Sequence, residues 1–574
     1  MSWMHKRKYR DLLAHEEGYQ KKVWGECITV CLAYPNTYRT GMPNLGFQTI
    51  YALINHHSSF LCERAFLPDP GDEDSFIPGS IPLISLESQK PLSDFDMVAF
   101  SIPYENDYSN ILKILDMSRI TLNALQRKEK EPLILGGGIA VTLNPEPLTD
   151  FIDLFLIGEG EEVLAEFLRT FEASCRAGLS RSEILYLVQK EIAGAYAPRF
   201  YNVRYNTDQL IETIEPASPS LPKKITKRWV RDINAFTTDQ CIITPNAEFK
   251  DVFLTEVSRG CRRGCRFCAA GFACGPARFR SLKTLEPSFL HGIKKLKTIG
   301  LLGTAVSDHP DLLSMSDHIM KQSGKVALGS LRLDRLDSKM AAMLKKTGIE
   351  TVALAPEAGS QRLRDVINKG ITEEHIFSAV ESLIAQGIVN IRLYFMVGLP
   401  TEGEDDIEAI IHLVKRIKHH AVKRSVGKMP FRRIILSINQ FIPKPVTPFQ
   451  WHPLEDTNIV RRRIRRIKSA LLRESSIKII HDLPKWNYIQ ALLSLGDRQV
   501  GKILLAAHRN HGNWSATFKE VNVNPDFYVY RLKNSDEILP WDFIDHGVSK
   551  QFLIRERNRA LSQDHEVKIL DDPI

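Results

Sequence analysis

The sequence predicts an α/β protein in three parts: a parallel sheet covered by helices, a (β/α)6 partial barrel, and a small, mostly helical C-terminal domain. Three observations predict this. Apolar runs of strand length alternate with helical patterns through the first 170 residues, the rhythm of a parallel sheet with helical crossovers. A second such series supplies six strands between 253 and 445. After 450 the periodicity turns helical: in TNIVRRRIRRIKSALLRES (457–475), Val460, Ile464, Ile467 and Leu471 share one face and arginines cover the other.

Taken in order, ITVCLAYP (28–35) reads as a strand and MPNLGFQTIYALIN (42–55) as a helix. DMVAFSIP (96–103), helical 106–125, LILGGG (133–138) and DLFLIGEGEEVLAEFL (153–168) repeat the pattern. Glycine-rich turns follow the strands, where open α/β sheets bind ligands. PASPSLPKKITKR (216–228) has a linker's composition. The expected organisation is a Rossmann-like domain over 1–170, a connecting segment over 171–250, the barrel over 251–450 and an α-rich domain over 451–574. The barrel strands fall in 253–260, 301–308, 325–334, 350–359, 390–400 and 432–445, and its active site belongs on the loops after them.

Composition excludes several classes. Of 574 residues, 43% are hydrophobic and 25% charged, as in ordinary globular proteins. No apolar run is long enough to span a membrane. The charged N-terminus lacks the apolar stretch of a signal peptide, so the expected location is cytoplasmic. A net charge of +8 suits an anionic partner or simple solubility. Nine cysteines are too sparse for a disulfide scaffold, yet three crowd into SRGCRRGCRFCAAG (258–271), which indicates metal or redox chemistry.

Cys261, Cys265 and Cys268 form a C-x3-C-x2-C triplet on the loop after the first barrel strand. Thiolates hold iron–sulfur clusters, usually four per 4Fe-4S cluster, and three leave one iron open. Gly260 and Gly264 allow the backbone to approach the cluster, and Arg259, Arg262, Arg263 and Arg266 place positive charge beside an anionic centre. The alternative is tetrahedral zinc with Cys274 as fourth ligand.

The triplet, with Phe267 before its third cysteine, resembles the radical S-adenosylmethionine (SAM) superfamily. The resemblance implies that Cys261, Cys265 and Cys268 bind a 4Fe-4S cluster and that SAM chelates the fourth iron. SAM is then cleaved to a 5′-deoxyadenosyl radical by electrons from a reductant such as flavodoxin or ferredoxin. It further implies SAM contacts near the strand ends. Gly303-Thr304-Ala305 stands where the family shows a glycine–glycine–glutamate turn, without the acid. Ser330 and Arg332 follow the third strand, with Arg332 suited to a carboxylate. Glu357 ends the fourth, and VGLPTE (397–402) resembles the turn near the adenine. A structural ion pair at the barrel rim is the competing role for Arg332 and Glu357.

The N-terminal region is similar to the cobalamin-binding domains of that superfamily, whose pattern is D-x-H-x-x-G, S-x-L, then G-G. Here 36-NTYRTG-41 keeps the spacing with Asn36 for Asp and Tyr38 for His, ending on Gly41. Ser101 opens the second position, and Gly136, Gly137 and Gly138 fill the third. Imidazole ligates cobalt well and neutral phenol poorly, so any cobalamin would lack a protein ligand on its lower face. Segments from YPNTYRTGMPNLGFQ to GDRQVG and LPWDFIDHGVSKQFL resemble an uncharacterised family of B12-binding-type radical SAM proteins.

The expected activity is therefore cobalamin-dependent C-methylation or a related C–H functionalisation of an unknown substrate. Methylthiotransferase chemistry on tRNA is the alternative, with Cys27, Cys31 and Cys62 as second-cluster candidates against a plain buried role. A cluster- or zinc-bearing sensor of corrinoid or redox state is the non-enzymatic one. Nucleic-acid binding by the basic helix (Arg461, Arg462, Arg463, Arg465, Arg466, Lys468) is not favoured over a packed, solvated helix. His309 suits either acid/base work or helix capping.

Overall fold

A computed structural model describes residues 2–72, 82–329, 331–427 and 429–562. Ser330, a SAM-contact candidate, lies outside the described residues. The chain forms two compact units. Unit 1 comprises Met1–Asp251, Leu492–Tyr528 and Asp536–His546; unit 2 comprises Val252–Ala491, Val529–Ser535 and Gly547–Ile574.

Unit 1 is built on six strands: β1 (Ile28–Thr37), β2 (Phe60–Leu67), β3 (Met97–Ser101), β4 (Leu133–Gly137), β5 (Leu154–Leu156) and β6 (Ala195–Tyr196). Their order is β2-β1-β3-β4-β5-β6. All neighbours are parallel except the β5–β6 edge. That is a doubly wound sheet whose order reverses between β1 and β3, the place where such sheets bind ligands. Strand burial is nearly continuous in β1 and β2, as expected of parallel strands covered on both faces. Helix Leu45–His56 follows β1; the Asn44 side chain accepts from Phe47 N–H at its start, and Leu45, Phe47, Tyr51 and Ile54 face inward. The helical run from 106 is shorter than its pattern suggests, closing at Met117 with Arg119 left-handed at φ 58°.

Residues 171–250 are not a free linker. They complete the helix Gly160–Arg176 and supply the helix Arg181–Glu191 with β6. The antiparallel hairpin β7 (Tyr201–Tyr205) and β8 (Ile211–Pro216) follows, then β9 (Ile225–Thr226).

Unit 2 carries the barrel. β10 (Phe253–Glu256) leads into a small antiparallel brace, β11 (Ser258–Arg259) with β12 (Arg278–Phe279), that closes the base of the cysteine loop. β13 (Thr298–Leu302), β14 (Lys325–Leu328), β15 (Thr351–Glu357), β16 (Asn390–Val397) and β17 (Arg433–Gln440) realise the remaining predicted strands. The second predicted strand, LLGTAVSD, is displaced toward the N-terminus. Its strand ends at Leu302, and Val306–Asp308 form a 3-10 turn.

A seventh strand, β18 (Ile477–His481), pairs with β17. β10-β13-β14 and β15-β16-β17-β18 are each all-parallel, and a parallel bridge Leu331↔Leu354 joins the two series. Alternation is strict in β15 and β16 (eBiBiBi, iBiBiBiB), so every second side chain fills the core.

The C-terminal domain expected over 451–574 does not form. Its helix Thr457–Leu471 and β18 belong to unit 2, while 492–528 and 536–546 return to unit 1. Side-chain chemistry explains that return. Asn144 Nδ2 donates to the carbonyls of Ser494 (3.0 Å) and Gly496 (2.7 Å), and Arg498 Nε donates to Glu146 (2.8 Å). The GDRQVG segment is thus stapled to the loop after β4. β19 (Ile544–Asp545) then pairs parallel with β9.

Candidate functional site

The cysteine loop leaves β10 and is gripped from several sides. Arg266 donates its backbone N–H to Ile367 O (3.0 Å), and Nη1 donates to the carbonyls of Asp365 (3.0 Å) and Val366 (2.9 Å). Asn368 Nδ2 donates to Gly264 O at 3.1 Å. Arg266 Nε meets Glu556, on the helix Lys550–Leu561, at 3.1 Å, and that pair is buried. Gly260 and Gly264 adopt φ 78° and 62°, a region L side chains enter only at a cost. At Gly260 an added Cβ would lie 2.6 Å from Cys274 O. Backbone carbonyls, a left-handed pair of glycines and one buried ion pair therefore fix the loop, while backbone N–H groups of Arg263 and Ala270 contact the Cys261 and Cys268 sulfurs.

Cys261, Cys265 and Cys268 are all free thiols. Burial pushes Cys268 up to about 12, and the neighbouring Cys265 and Cys261 add to the shift. Three sulfurs crowding one another's ionisation is the electrostatic demand that a metal centre meets, since it holds thiols deprotonated. Among the described residues no three His, Cys, Asp or Glu side chains converge tightly enough to share one ion. A cubane binds each thiolate to a separate iron, so the triplet fits a cluster better than a mononuclear zinc site with Cys274.

The rim beside the triplet is charged. Arg263 pairs with Asp308 at 2.5 and 2.8 Å and reaches Asp334 at 3.1 Å. This joins the cysteine loop to the loops after β13 and β14. The paired arginine keeps Asp308 below the usual carboxylate range despite burial. Arg332 forks onto Asp334 (2.9 and 3.2 Å) and donates to Lys369 O (3.2 Å). Glu357 is left-handed at φ 67° and accepts from Lys369 Nζ at 2.9 Å. The Lys369 ammonium also lies 5.9 Å over the Phe267 ring, an attractive placement.

Arg332, Glu357 and Phe267 thus share one neighbourhood with the triplet, and both charged residues stand in rim ion pairs. Lys369 is the member that sequence reasoning missed; its signal was the polar INKG run (367–370) closing the short helix Gln361–Val366. Gly303 is forced by contact: a Cβ there would lie 2.2 Å from Ser258 Oγ, a hydroxyl that is buried without a hydrogen-bond partner.

His309 resolves as a cap. Its Nδ1 accepts from Asp311 N–H and its Nε2 contacts Arg280 O, both at 3.0 Å, leaving no ring nitrogen for acid/base work. In the basic helix Arg461 and Arg465 are exposed, while others are paired. Arg463 is buried against Glu402 (2.8 Å) and Glu455 (3.0 Å), and Arg466 pairs with Glu408.

Unit 1's candidates are arranged differently. Tyr38 is buried, packs edge-on to Phe66, and bonds through its hydroxyl to Glu16 (2.5 Å) and Thr244 (2.9 Å). Glu16 in turn pairs with the buried Arg64 at 2.6 Å. The phenol is thereby consumed by the core. A Cβ on Gly41 would meet Phe66 at 2.8 Å, on Gly136 Phe155 at 2.9 Å, and on Gly138 Ile102 O at 2.6 Å, so these glycines serve internal packing. Asn36, at the end of β1, donates to Asp107 at 3.0 Å. Ser101 and Gly137 pair in register and are half-buried. Asn36, Ser101 and Gly137 are the polar or open positions left at the strand ends.

Comparison with known proteins agrees with this architecture. Residues 46–198 match the family described as radical SAM proteins, N-terminal, and residues 255–414 match the radical SAM superfamily. The chain belongs to the radical SAM superfamily and is an enzyme of that class, working with a 4Fe-4S cluster and SAM. It is 28% identical over 482 residues to an uncharacterised protein, MJ0966, of Methanocaldococcus jannaschii, covering 83% of this chain and 90% of that one. It is 26% identical over 175 residues to the threonylcarbamoyladenosine tRNA methylthiotransferase MtaB of Aquifex aeolicus, covering 28% and 42% respectively. Among solved structures, the radical SAM methyltransferase TsrM of Kitasatospora setae, with cobalamin and cluster bound, aligns at 13% identity and TM-score 0.46 over 72% of each chain.

Proposed function

We propose that the protein uses its cluster and SAM to functionalise an unactivated C–H bond, with cobalamin-dependent C-methylation as the leading outcome and unit 1 as the corrinoid-binding part. The observation that carries the radical reading is the triplet itself: three free thiols on one loop at the end of the first barrel strand, a loop gripped by Arg266, Asn368 and Glu556. When bound, the cluster and SAM supply a 5′-deoxyadenosyl radical, the hard chemistry that the protein only positions. The chain's own part is to orient and to balance charge. Lys369 and Arg332 offer cations and Glu357 an anion at the rim, suited to the carboxylate and amine of an amino acid. Ser101 and Gly137, with Asn36 held beside them by Asp107 and Thr37 N–H, would line the corrinoid edge, and Tyr38 is committed to the core. Nine free cysteines and an electron requirement suit a reducing cytoplasm with a flavodoxin- or ferredoxin-type reductant. Among the described residues no helix is long and apolar enough to cross a membrane.

The methylthiotransferase reading needs a second cluster. Val30 pairs with Cys62 across β1 and β2, so Cys62 shares Val30's face and the adjacent Cys31 takes the other. Those cysteines do not converge.

The test is anaerobic reconstitution, reduction and addition of SAM. We expect 5′-deoxyadenosine above a Cys268→Ala control, and retained cobalamin with a visible spectrum of the form lacking a lower ligand. No 5′-deoxyadenosine above that control sinks the radical reading, and failure to retain corrinoid at stoichiometric loading sinks the cobalamin half.

A further inference from the structure

The loop after β17 and the helix Lys550–Leu561 bring together donors with nothing to donate to. Trp451 is fully buried, yet its indole Nε1 has no hydrogen-bond partner. His452, next in sequence, has a buried Nε2 in the same condition. Arg557 lies with its guanidinium carbon 5.9 Å from the Trp451 ring centroid, and its buried Nε is also unpartnered. Among the described residues Arg557 has no carboxylate partner, whereas its helix neighbours Glu556 and Arg559 pair with each other. Lys533 is tied into the same place by its backbone N–H, which donates to Trp451 O at 3.0 Å. Burial, with the positive charges of Arg557 and Lys533 added, pushes His452 down to about 4, so the imidazole adds no competing charge.

Buried donors are nearly always satisfied, and a group of them without acceptors points to a missing partner. The demand of the arginine fork and the indole N–H has one sign, with no carboxylate among them, and the neutral imidazole can join as a donor through Nε2. Water could satisfy one such donor, but it leaves the guanidinium charge uncompensated. The location is also telling. β17 ends at Gln440, and Phe441 and Phe449 from the following loop join Ala560 in a core against which Phe267 of the cysteine loop packs. Phe449 meets His452 edge-on at 5.5 Å. The donors therefore stand on the strand-end side of the barrel, where barrel enzymes hold substrate.

We propose that Trp451, His452 and Arg557 form an oxyanion-binding subsite that anchors a carboxylate or phosphate group of the substrate of the radical reaction. The inference rests on the radical SAM reading for its purpose but not for its binding chemistry, which belongs to the protein without cofactors. Arginine presents parallel donors matched to a planar carboxylate or a phosphate edge, and the Trp451 face supports that plane. A substrate lacking an oxyanion would leave the half-buried guanidinium, with its buried Nε, unmatched.

The test is equilibrium binding of inorganic phosphate and, separately, of acetate to the full chain, followed by tryptophan fluorescence and isothermal titration. The parent should bind at least one of them, and which one distinguishes the two ligand sources. Arg557→Gln should weaken that binding on the order of 10- to 100-fold, the worth of a charge-assisted contact. Arg557→Lys should recover only part, because the fork is lost. In the same variants iron content and SAM affinity should be unchanged. Equal anion binding by parent and Arg557→Gln overturns the proposal, as does no binding of either anion. A parallel loss of SAM affinity overturns it too, by assigning the subsite to SAM. Loss of cluster and 5′-deoxyadenosine formation in the parent, with anion binding intact, instead counts against the radical reading alone.

Discussion

The cysteine loop of unit 2 and the glycine turns of unit 1 are both motif-rich strand ends, yet they spend their residues in opposite ways. In unit 2, Gly260 and Gly264 take left-handed conformations that turn the loop, Gly260 against Cys274 O, while Asn368 and Arg266 hold it from outside. In unit 1, Gly41, Gly136 and Gly138 are filled against the protein's own Phe66, Phe155 and Ile102. Tyr38 is locked to Glu16 and Thr244. The contrast teaches that spacing indicates a site only when the functional atoms remain uncommitted. The thiols are contacted by backbone N–H groups that a ligand sulfur can keep; the phenol is bonded to two side chains.

The comparison can be broken by mutation. The largest effect belongs to Cys265→Ala, which removes one of three thiolates. Reconstituted iron should fall to background and SAM cleavage should vanish; a retained 4Fe-4S spectrum would show that the triplet is not the ligand set. Next is Arg266→Gln. Removing one member of a buried pair costs up to about 3–5 kcal/mol, less here because Arg559 still pairs with Glu556, and it frees the loop from its carbonyl contacts. The expected reading is a lower denaturant midpoint together with poorer cluster retention. Gly136→Ala should act on the other side of the contrast. Overpacking against Phe155 costs about 1–3 kcal/mol, with cluster content and SAM cleavage per folded protein unchanged. Altered cluster content there would blur the distinction.

The smallest effect is a pH slope. Burial raises Glu402 from 4.5 to about 7, against the opposing pull of Gly398 N–H and Arg463. A raised acid binds its proton more tightly when folded, so its contribution is full below about 4.5 and is lost as pH rises through about 7. Glu402→Gln should flatten stability across that window, as followed by urea midpoints from pH 5 to 8. An unchanged slope would mean that Arg463 keeps Glu402 ionised throughout.

Much of the fold was legible because helix and strand periods differ. β15 and β16 show that period plainly, and the other barrel strands read as short apolar runs between helical stretches. β18 was missed because its burial alternates between half-buried and exposed and it follows a strongly amphipathic helix that drew the whole region toward a helical reading. The division of the C-terminal chain between units was not legible. It depends on Asn144 and Glu146 meeting Ser494, Gly496 and Arg498, pairings some 350 residues apart that leave no local pattern. The crowding of the three cysteines was legible from spacing; their role as cluster ligands is the proposal tested below. Lys369 was not, since a lone lysine acquires meaning only from Glu357 and Phe267 beside it.

The central claim is that Cys261, Cys265 and Cys268 hold a cluster with one iron open to SAM. Electron paramagnetic resonance of the reduced, reconstituted protein tests it most directly. The account predicts a reduced 4Fe-4S signal whose g values shift when SAM is added, and which is absent in Cys265→Ala. A signal that SAM leaves unchanged, or a protein that takes up zinc and no cluster, would contradict it.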